Sequence, residues 1–162
     1  MKDAAYLIKL CTKKGLTVSG CESLTAGLFT ATLASVSGAS KVLKGGIVTY
    51  FTEIKVNVAH VEQEIVDTYG VVSKECAASM ASHTREIMAS DYCVSFTGNA
   101  GPDVMENKPA GTVYTAIASK NGVKVFHFEL GEYSRNELRM TIVNQMIELL
   151  IDEIEQGATN GS

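Results

Sequence analysis

The sequence predicts an α/β protein built as a three-layer α/β/α sandwich, with a mixed, mostly parallel sheet and one C-terminal hairpin. Strand-like apolar runs alternate along it with stretches whose apolar residues recur at helical spacing. Near the C-terminus two β-rich runs, TVYTAIAS and VKVFHFEL, flank Lys120, Asn121 and Gly122, and an Asn-Gly pair between such runs signals a hairpin. The 162 residues, 46% apolar and 20% charged, suit one compact domain over residues 1–156, followed by a disordered tail over 157–162.

Each element has its own signal. Ala4, Leu7, Ile8 and Cys11 mark one face of a first helix, which Gly15 ends. Residues 16–20, LTVSG, read as a short buried strand; CESLTAG then turns into a helix from about Leu24 to Val36, leaving Ser23 at the corner. A second strand, GGIVTYF over 45–51, enters a helix near Glu53 that carries Lys55 in its first turn or two. Helical patterns over 62–69 and 74–89 are separated by the extended piece GVVS, with Ser73 as N-cap. The core strand DYCVSF, 91–96, precedes the loop TGNAGPDVMENKPAG and the hairpin. A last helix, from about Ser134 to Glu155, aligns Leu138, Ile142, Met146 and Leu149 and stops at Gly157.

Composition narrows the function. The net charge is −4 and the basic residues are scattered, so no nucleic-acid footprint is visible. Cys11, Cys21, Cys76 and Cys93 form neither a CxxC pair nor a dense framework, and read as reduced, buried thiols. The N-terminal segment has helical rather than signal-peptide character, and no run approaches the roughly 20 apolar residues that span a bilayer. A cytoplasmic protein that engages neither membrane nor nucleic acid is expected.

In an open α/β sheet, reactive groups gather in loops at the carboxyl ends of strands. Three such turns stand out: CESLTAG, TYFTEIK and TGNAGP. Ser23, at a strand-to-helix corner, suits a nucleophile facing helix N-terminal amides, and equally suits a helix cap. None of His60, His83 and His127 lies in these turns, so an ordinary Ser-His-Asp arrangement lacks a histidine. Lys55 is the remaining base if burial, or a nearby cation such as Arg139, lowers its pKa; otherwise it is a solvated helix lysine. Gly98 and Gly101 allow a nest of amides or a plain turn containing Pro102.

The ordered blocks CESLTAG, GGIVTYFTEIK, YGVVS, SFTGNAGP, KPAGTVY and SRNELR, over about residues 16–150, resemble the CinA C-terminal domain family, also known as nicotinamide-nucleotide amidohydrolases. The resemblance implies hydrolysis of nicotinamide mononucleotide to nicotinate mononucleotide and ammonia, a step of pyridine nucleotide salvage. It implies that Ser23 is the nucleophile and Lys55 its partner. Glu22, Thr25, Tyr50, Thr97, Gly98 and Asn99 are then candidates for substrate contact, with Arg139 in the substrate pocket and Arg135 as its companion. Neutral Lys55 would take the Ser23 proton while amides around Ser23, Leu24 and Thr25 hold the oxyanion, with no metal, cofactor or ATP. Departures fall at Asn99, where an apolar residue is commoner, at Thr52 in place of asparagine, and in DVMENK, which lacks paired glycines after Asp103. They leave room for a catalytically silent nucleotide-binding or interaction module of the same fold, or for an amidase acting on another small amide. Longer family members carry an N-terminal domain resembling molybdopterin-cofactor enzymes, which is not recognised in this sequence. Exposed strand edges favour a homo-oligomer.

Overall fold

A computed structural model describes residues 1–104 and 106–160, the last three as backbone only. In chain order the elements are α1 (Ala4–Lys14), β1 (Val18–Glu22), α2 (Leu28–Ala34), a 3-10 turn (Ala39–Lys41), β2 (Leu43–Val48), α3 (Thr52–Asn57), α4 (Gln63–Tyr69), α5 (Lys74–Met88), β3 (Tyr92–Gly98), β4 (Thr112–Ser119), β5 (Gly122–Glu129) and α6 (Arg135–Asn160). The five strands lie in the order β2-β1-β3-β4-β5. β1 pairs parallel with β2 and β3, whereas β3–β4 and β4–β5 are antiparallel, so β4 alone runs against the rest. The mixed α/β architecture is as predicted.

Helices cover both faces because alternate residues of the central strands point opposite ways. Val94 and Phe96 of β3 join Phe29 and Leu33 of α2, Leu7 and Cys11 of α1, and Leu138, Ile142, Met146 and Leu150 of α6 in the larger core. On the other face, Cys93 packs with Cys76 and Met80 of α5, and the Ser95 hydroxyl donates to the Ala77 carbonyl at 2.6 Å. Gly15 takes a left-handed conformation (φ 68°) and ends α1; Ser73 caps α5 by accepting from the Cys76 amide.

Three expectations shift. The hairpin turns at Lys120 and Asn121, and Gly122, with φ 124°, is already paired with Ser119, so the glycine opens β5 rather than closing the turn. Gly157 does not stop α6, which runs on to Asn160, because the glycine lacks the left-handed backbone of a helix terminus. The expected disordered tail is thus helical through residue 160, and residues 161–162 lie outside the described residues. Third, α2 begins four residues later than its sequence suggested, and this shapes the site.

Among the described residues no helix is long and apolar enough to cross a membrane. The four cysteines are free and buried.

Candidate active site

The parallel strands β2, β1 and β3 present their carboxyl ends side by side, with Glu22 beside both Val48 and Phe96. The chain leaves β1 for β2 on one side and joins β3 on the other. A crevice opens where connections diverge in this way.

The turn after β1 is not helical. Residues 23–27 form a tight turn in which the Ala26 amide donates to the Ser23 carbonyl, Ala26 and Gly27 take φ of 49° and 96°, and α2 starts only at Leu28. Glu22 explains the delay. Its fully buried carboxylate accepts from the Phe29 amide (2.8 Å), the Thr30 amide (2.9 Å) and the Thr30 hydroxyl (2.7 Å), so it caps the helix from one strand residue away. Two expectations shift: the Glu22 carboxylate is committed to α2 and is not among the residues lining the cleft, and the first amides of α2 are already taken. The Ser23 amide is also engaged, donating to the Phe96 carbonyl at 3.0 Å. The Leu24 and Thr25 amides, alone among the three expected to hold an oxyanion, have no hydrogen-bond partner among the described residues.

Lys55 projects from α3 beneath this turn and is 1% exposed, which removes the solvated alternative. Its Nζ donates to the Thr49 carbonyl at 2.7 Å and lies 3.0 Å from Ser23 Oγ. Burial pushes its pKa below the ordinary lysine value, against smaller upward pulls from Cys76, Cys21 and Glu106. Desolvation is the cause, and Arg139 is not among the contributors. Ser23 itself is 4% exposed and opens onto a cleft of about 250 Å³, with its Oγ facing Lys55 Nζ.

The cleft is lined by Ser23, Leu24, Tyr50, Gly98, Asn99, Ala100, Gly101, Asp103, Val104 and Arg135. Tyr50, Gly98 and Asn99 therefore stand where the sequence placed them. Asn99 is nearly buried and its Nδ2 donates to the Lys108 carbonyl at 3.1 Å. Thr97 does not line the cleft, because its hydroxyl donates to the Val71 carbonyl at 2.7 Å. Thr25 is fully buried, its hydroxyl has no hydrogen-bond partner among the described residues, and it is not among the residues lining the cleft.

Of the two arginines, it is Arg135 and not Arg139 that lines the cleft. Arg139 is not among the lining residues: Nε donates to the Leu24 carbonyl (2.9 Å), Nη2 to the Thr25 carbonyl (3.0 Å) and Nη1 to Asn136 Oδ1 (3.2 Å). Arg135 lines the cleft, donating from Nη2 to the Tyr50 hydroxyl at 2.6 Å and from Nη1 to the Gly101 carbonyl at 2.8 Å. Both sit in the first turns of α6, four residues apart, and spacing alone does not say which of them looks into the cleft.

The loop after Pro102 is held without paired glycines. Glu106 and Asn107 both adopt left-handed backbone (φ 61° and 57°), and the Glu106 carboxylate accepts from the Val71 and Val72 amides at 2.8 and 2.9 Å. Lys108 Nζ adds a bond to the Val72 carbonyl. These contacts support a conformation that glycine would adopt unaided. Among the described residues no three His, Cys, Asp or Glu side chains gather as a ligand set for a metal ion. The three histidines stay outside the cleft: His83 meets Glu62 and His127 meets Glu129.

Known proteins share this fold. A sequence profile described as the CinA C-terminal domain matches residues 2–154. A competence-damage inducible protein of Streptococcus pneumoniae is 39% identical over 147 residues, covering 91% of this chain and 35% of the relative; one from Limosilactobacillus fermentum is 51% identical over 117 residues, covering 72% and 28%. The chain thus spans about a third of the length of these relatives. The crystal structure of the competence/damage inducible protein CihA from Agrobacterium tumefaciens superposes with TM-score 0.88 at 34% identity over 92% of each chain. A CinA superfamily protein from Klebsiella pneumoniae, at 22% identity over 94% of this chain and 96% of its own, shares the fold with TM-score 0.91. With a profile that covers nearly its whole length and relatives of this identity, the chain belongs to the CinA C-terminal domain family.

Proposed function

We propose that this domain is an amidohydrolase that deamidates nicotinamide mononucleotide, with Ser23 as nucleophile and Lys55 as general base. The observation that carries the reading is the buried pair itself: an amine shifted toward its neutral form, 3.0 Å from a serine hydroxyl that opens onto a cleft. A structural lysine would need no such neighbour, and a capping serine would bond its own helix.

The steps follow from the groups present. Neutral Lys55 accepts the Ser23 proton, Oγ bonds to the carboxamide carbon, and the Leu24 and Thr25 amides receive the charge on the carbonyl oxygen. Lys55 returns the proton to the amide nitrogen, the C–N bond breaks, and ammonia leaves an ester on Ser23. Water then attacks the ester, giving one proton to Lys55, which restores it to Ser23 as the carboxylic acid departs and loses its own proton to solvent. The Thr49 carbonyl holds Nζ in place through both halves.

The walls suit the rest of the substrate. The Tyr50 ring, 53% exposed at the cleft, offers an aromatic face to the cationic pyridinium, and Asp103 adds a negative charge nearby. Arg135 presents a guanidinium at the same wall for the phosphate. The test is to mix the purified domain with nicotinamide mononucleotide and follow ammonia and nicotinate mononucleotide. Ser23→Ala and Lys55→Arg should each lose activity by about three orders of magnitude or more while remaining folded. Arg135→Ala should raise KM for the phosphorylated substrate more than for its dephosphorylated nucleoside. Binding without turnover by the wild type would instead identify a silent binding module, and an active Ser23→Ala protein would end the covalent mechanism.

A further inference from the structure

We propose that Arg139 is a positioning residue that aims and polarises the Leu24–Thr25 peptide, so that the Thr25 amide can receive the charge formed on the substrate's carbonyl oxygen. This rests on the amidohydrolase reading and deepens it, because it assigns the oxyanion site and the group that holds it.

Within the turn after β1, elimination narrows the donors. A nucleophilic serine at a strand end is usually served by its own amide or by the next helix, but here the Ser23 amide belongs to the Phe96 carbonyl and the first α2 amides to Glu22. The Leu24 and Thr25 amides remain, beside the nucleophile and without partners among the described residues. They sit in a turn of five residues that contains two left-handed positions, a segment with little of its own to fix the tilt of a peptide plane.

Arg139 supplies the missing constraint. Its Nε–H donates to the Leu24 carbonyl and its Nη2–H to the next carbonyl, Thr25, so one planar fork fixes two successive peptides. The Leu24–Thr25 peptide is trans, and in a trans unit the carbonyl and the amide point in opposite directions. Holding the Leu24 oxygen toward α6 therefore turns the Thr25 N–H away from α6. A cationic donor on the carbonyl also draws electrons through the amide and strengthens that N–H as a donor. Asn136 Oδ1 accepts from Nη1, so each of the three guanidinium nitrogens already donates to a protein oxygen. These bonds hold the guanidinium against the turn and α6, and Arg135, which lines the cleft, is better placed to meet a phosphate.

The experiment compares wild type, Arg139→Ala, Arg139→Gln and Arg139→Lys in the intact domain by two readouts. The first is kcat and KM for ammonia release from nicotinamide mononucleotide. The second is the rate at which an alkyl fluorophosphonate modifies Ser23, followed by intact mass. In that step the Ser23 Oγ–P bond forms, the P–F bond breaks, fluoride leaves and Lys55 takes the serine proton, while the phosphoryl oxygen occupies the oxyanion site. Arg139→Ala should lower kcat and the labelling rate in parallel, approaching the roughly 100-fold loss seen when one oxyanion donor is deleted, with KM within about twofold. Arg139→Gln and Arg139→Lys, each able to reach a carbonyl, should fall between. Normal kcat and labelling in folded Arg139→Ala, or a raised KM with kcat unchanged, overturns the proposal. Should the wild type release no ammonia yet label at Ser23 in an Arg139-dependent way, the substrate reading fails and the positioning role stands. A wild type that neither turns over nor labels defeats both. If Arg139→Ala does not fold, the graded order of the Gln and Lys variants decides.

Discussion

Lys55 shows how a single residue is set for its task. An ammonium held out of water is disfavoured, so α3 and the Thr49 carbonyl keep the amine in a place where losing its proton is easier. The unfolded chain holds that proton up to the ordinary lysine value of 10.5, and the folded chain gives it up earlier. Between those two points the unfolded state binds more protons, so stability rises with pH across that window; the penalty of the buried charge is largest below it. Two outcomes are expected. The pH–rate profile of kcat/KM should ascend through the folded pKa of Lys55, below 10.5. Melting temperature measured against pH should climb in the wild type and flatten in Lys55→Met; parallel curves for the two proteins would mean that Lys55 does not titrate in this range. The sequence made Lys55 a candidate only through elimination of the histidines and through resemblance. Its burial depends on neighbours from β1 and α5 that no local pattern reveals, since a lysine two residues into an exposed-looking helix reads as solvated.

Among the elements, β1 and α2 divide their work through Glu22. The strand's last side chain caps the following helix, which leaves the intervening turn free to carry Ser23. Glu22→Gln retains one acceptor but turns a donor toward the helix amides, and should cost about 1–3 kcal/mol of stability while leaving KM unchanged. Chemical denaturation beside steady-state kinetics checks this, and a raised KM at intact stability would return Glu22 to the substrate. At the end of β3 the constraint is spatial: a Cβ on Gly98 would sit 2.4 Å from the Thr112 carbonyl oxygen and 2.8 Å from Val113 Cα, both backbone atoms of β4. Gly98→Ala should therefore destabilise the domain by about 1–3 kcal/mol or more and displace the cleft wall, as a shifted denaturation midpoint would show. The strand, helix and hairpin assignments were legible in periodicity and in Gly and Asn signals, with ends displaced by about two residues at β1 and β2. The late start of α2 was not legible. A serine and a threonine before an apolar run look like a capping pair, and only the bonds from Phe29 and Thr30 to the Glu22 carboxylate show otherwise. Likewise Arg135 and Arg139 share one block, and it is the docking of α6 that sends one guanidinium into the cleft and the other onto the turn.

At the scale of the molecule, the sheet seals its thiols. Cys21 is pushed up to about 11 and Cys11 and Cys76 to about 12, each chiefly by burial, and Cys93 is raised further in the same direction. A thiol–disulfide reagent at pH 8 should find no cysteine in the folded domain and all four after unfolding; rapid labelling of native protein would contradict the packing around β1 and α5. The cleft, for its part, is assembled from distant segments: Val18 of β1 aligns with Tyr92 of β3, and both arginines arrive on a helix that begins at residue 135. Contacts of such sequence separation form late, since each must close a long loop before it is rewarded. During synthesis Ser23 emerges from the ribosome well before α6, so it exists for some time without the Arg139 bonds to its neighbouring carbonyls or the Arg135 side of the cleft. On the proposed mechanism, a nascent or truncated copy is chemically quiet, and hydrolysis begins only when the chain through α6 has been delivered and docked.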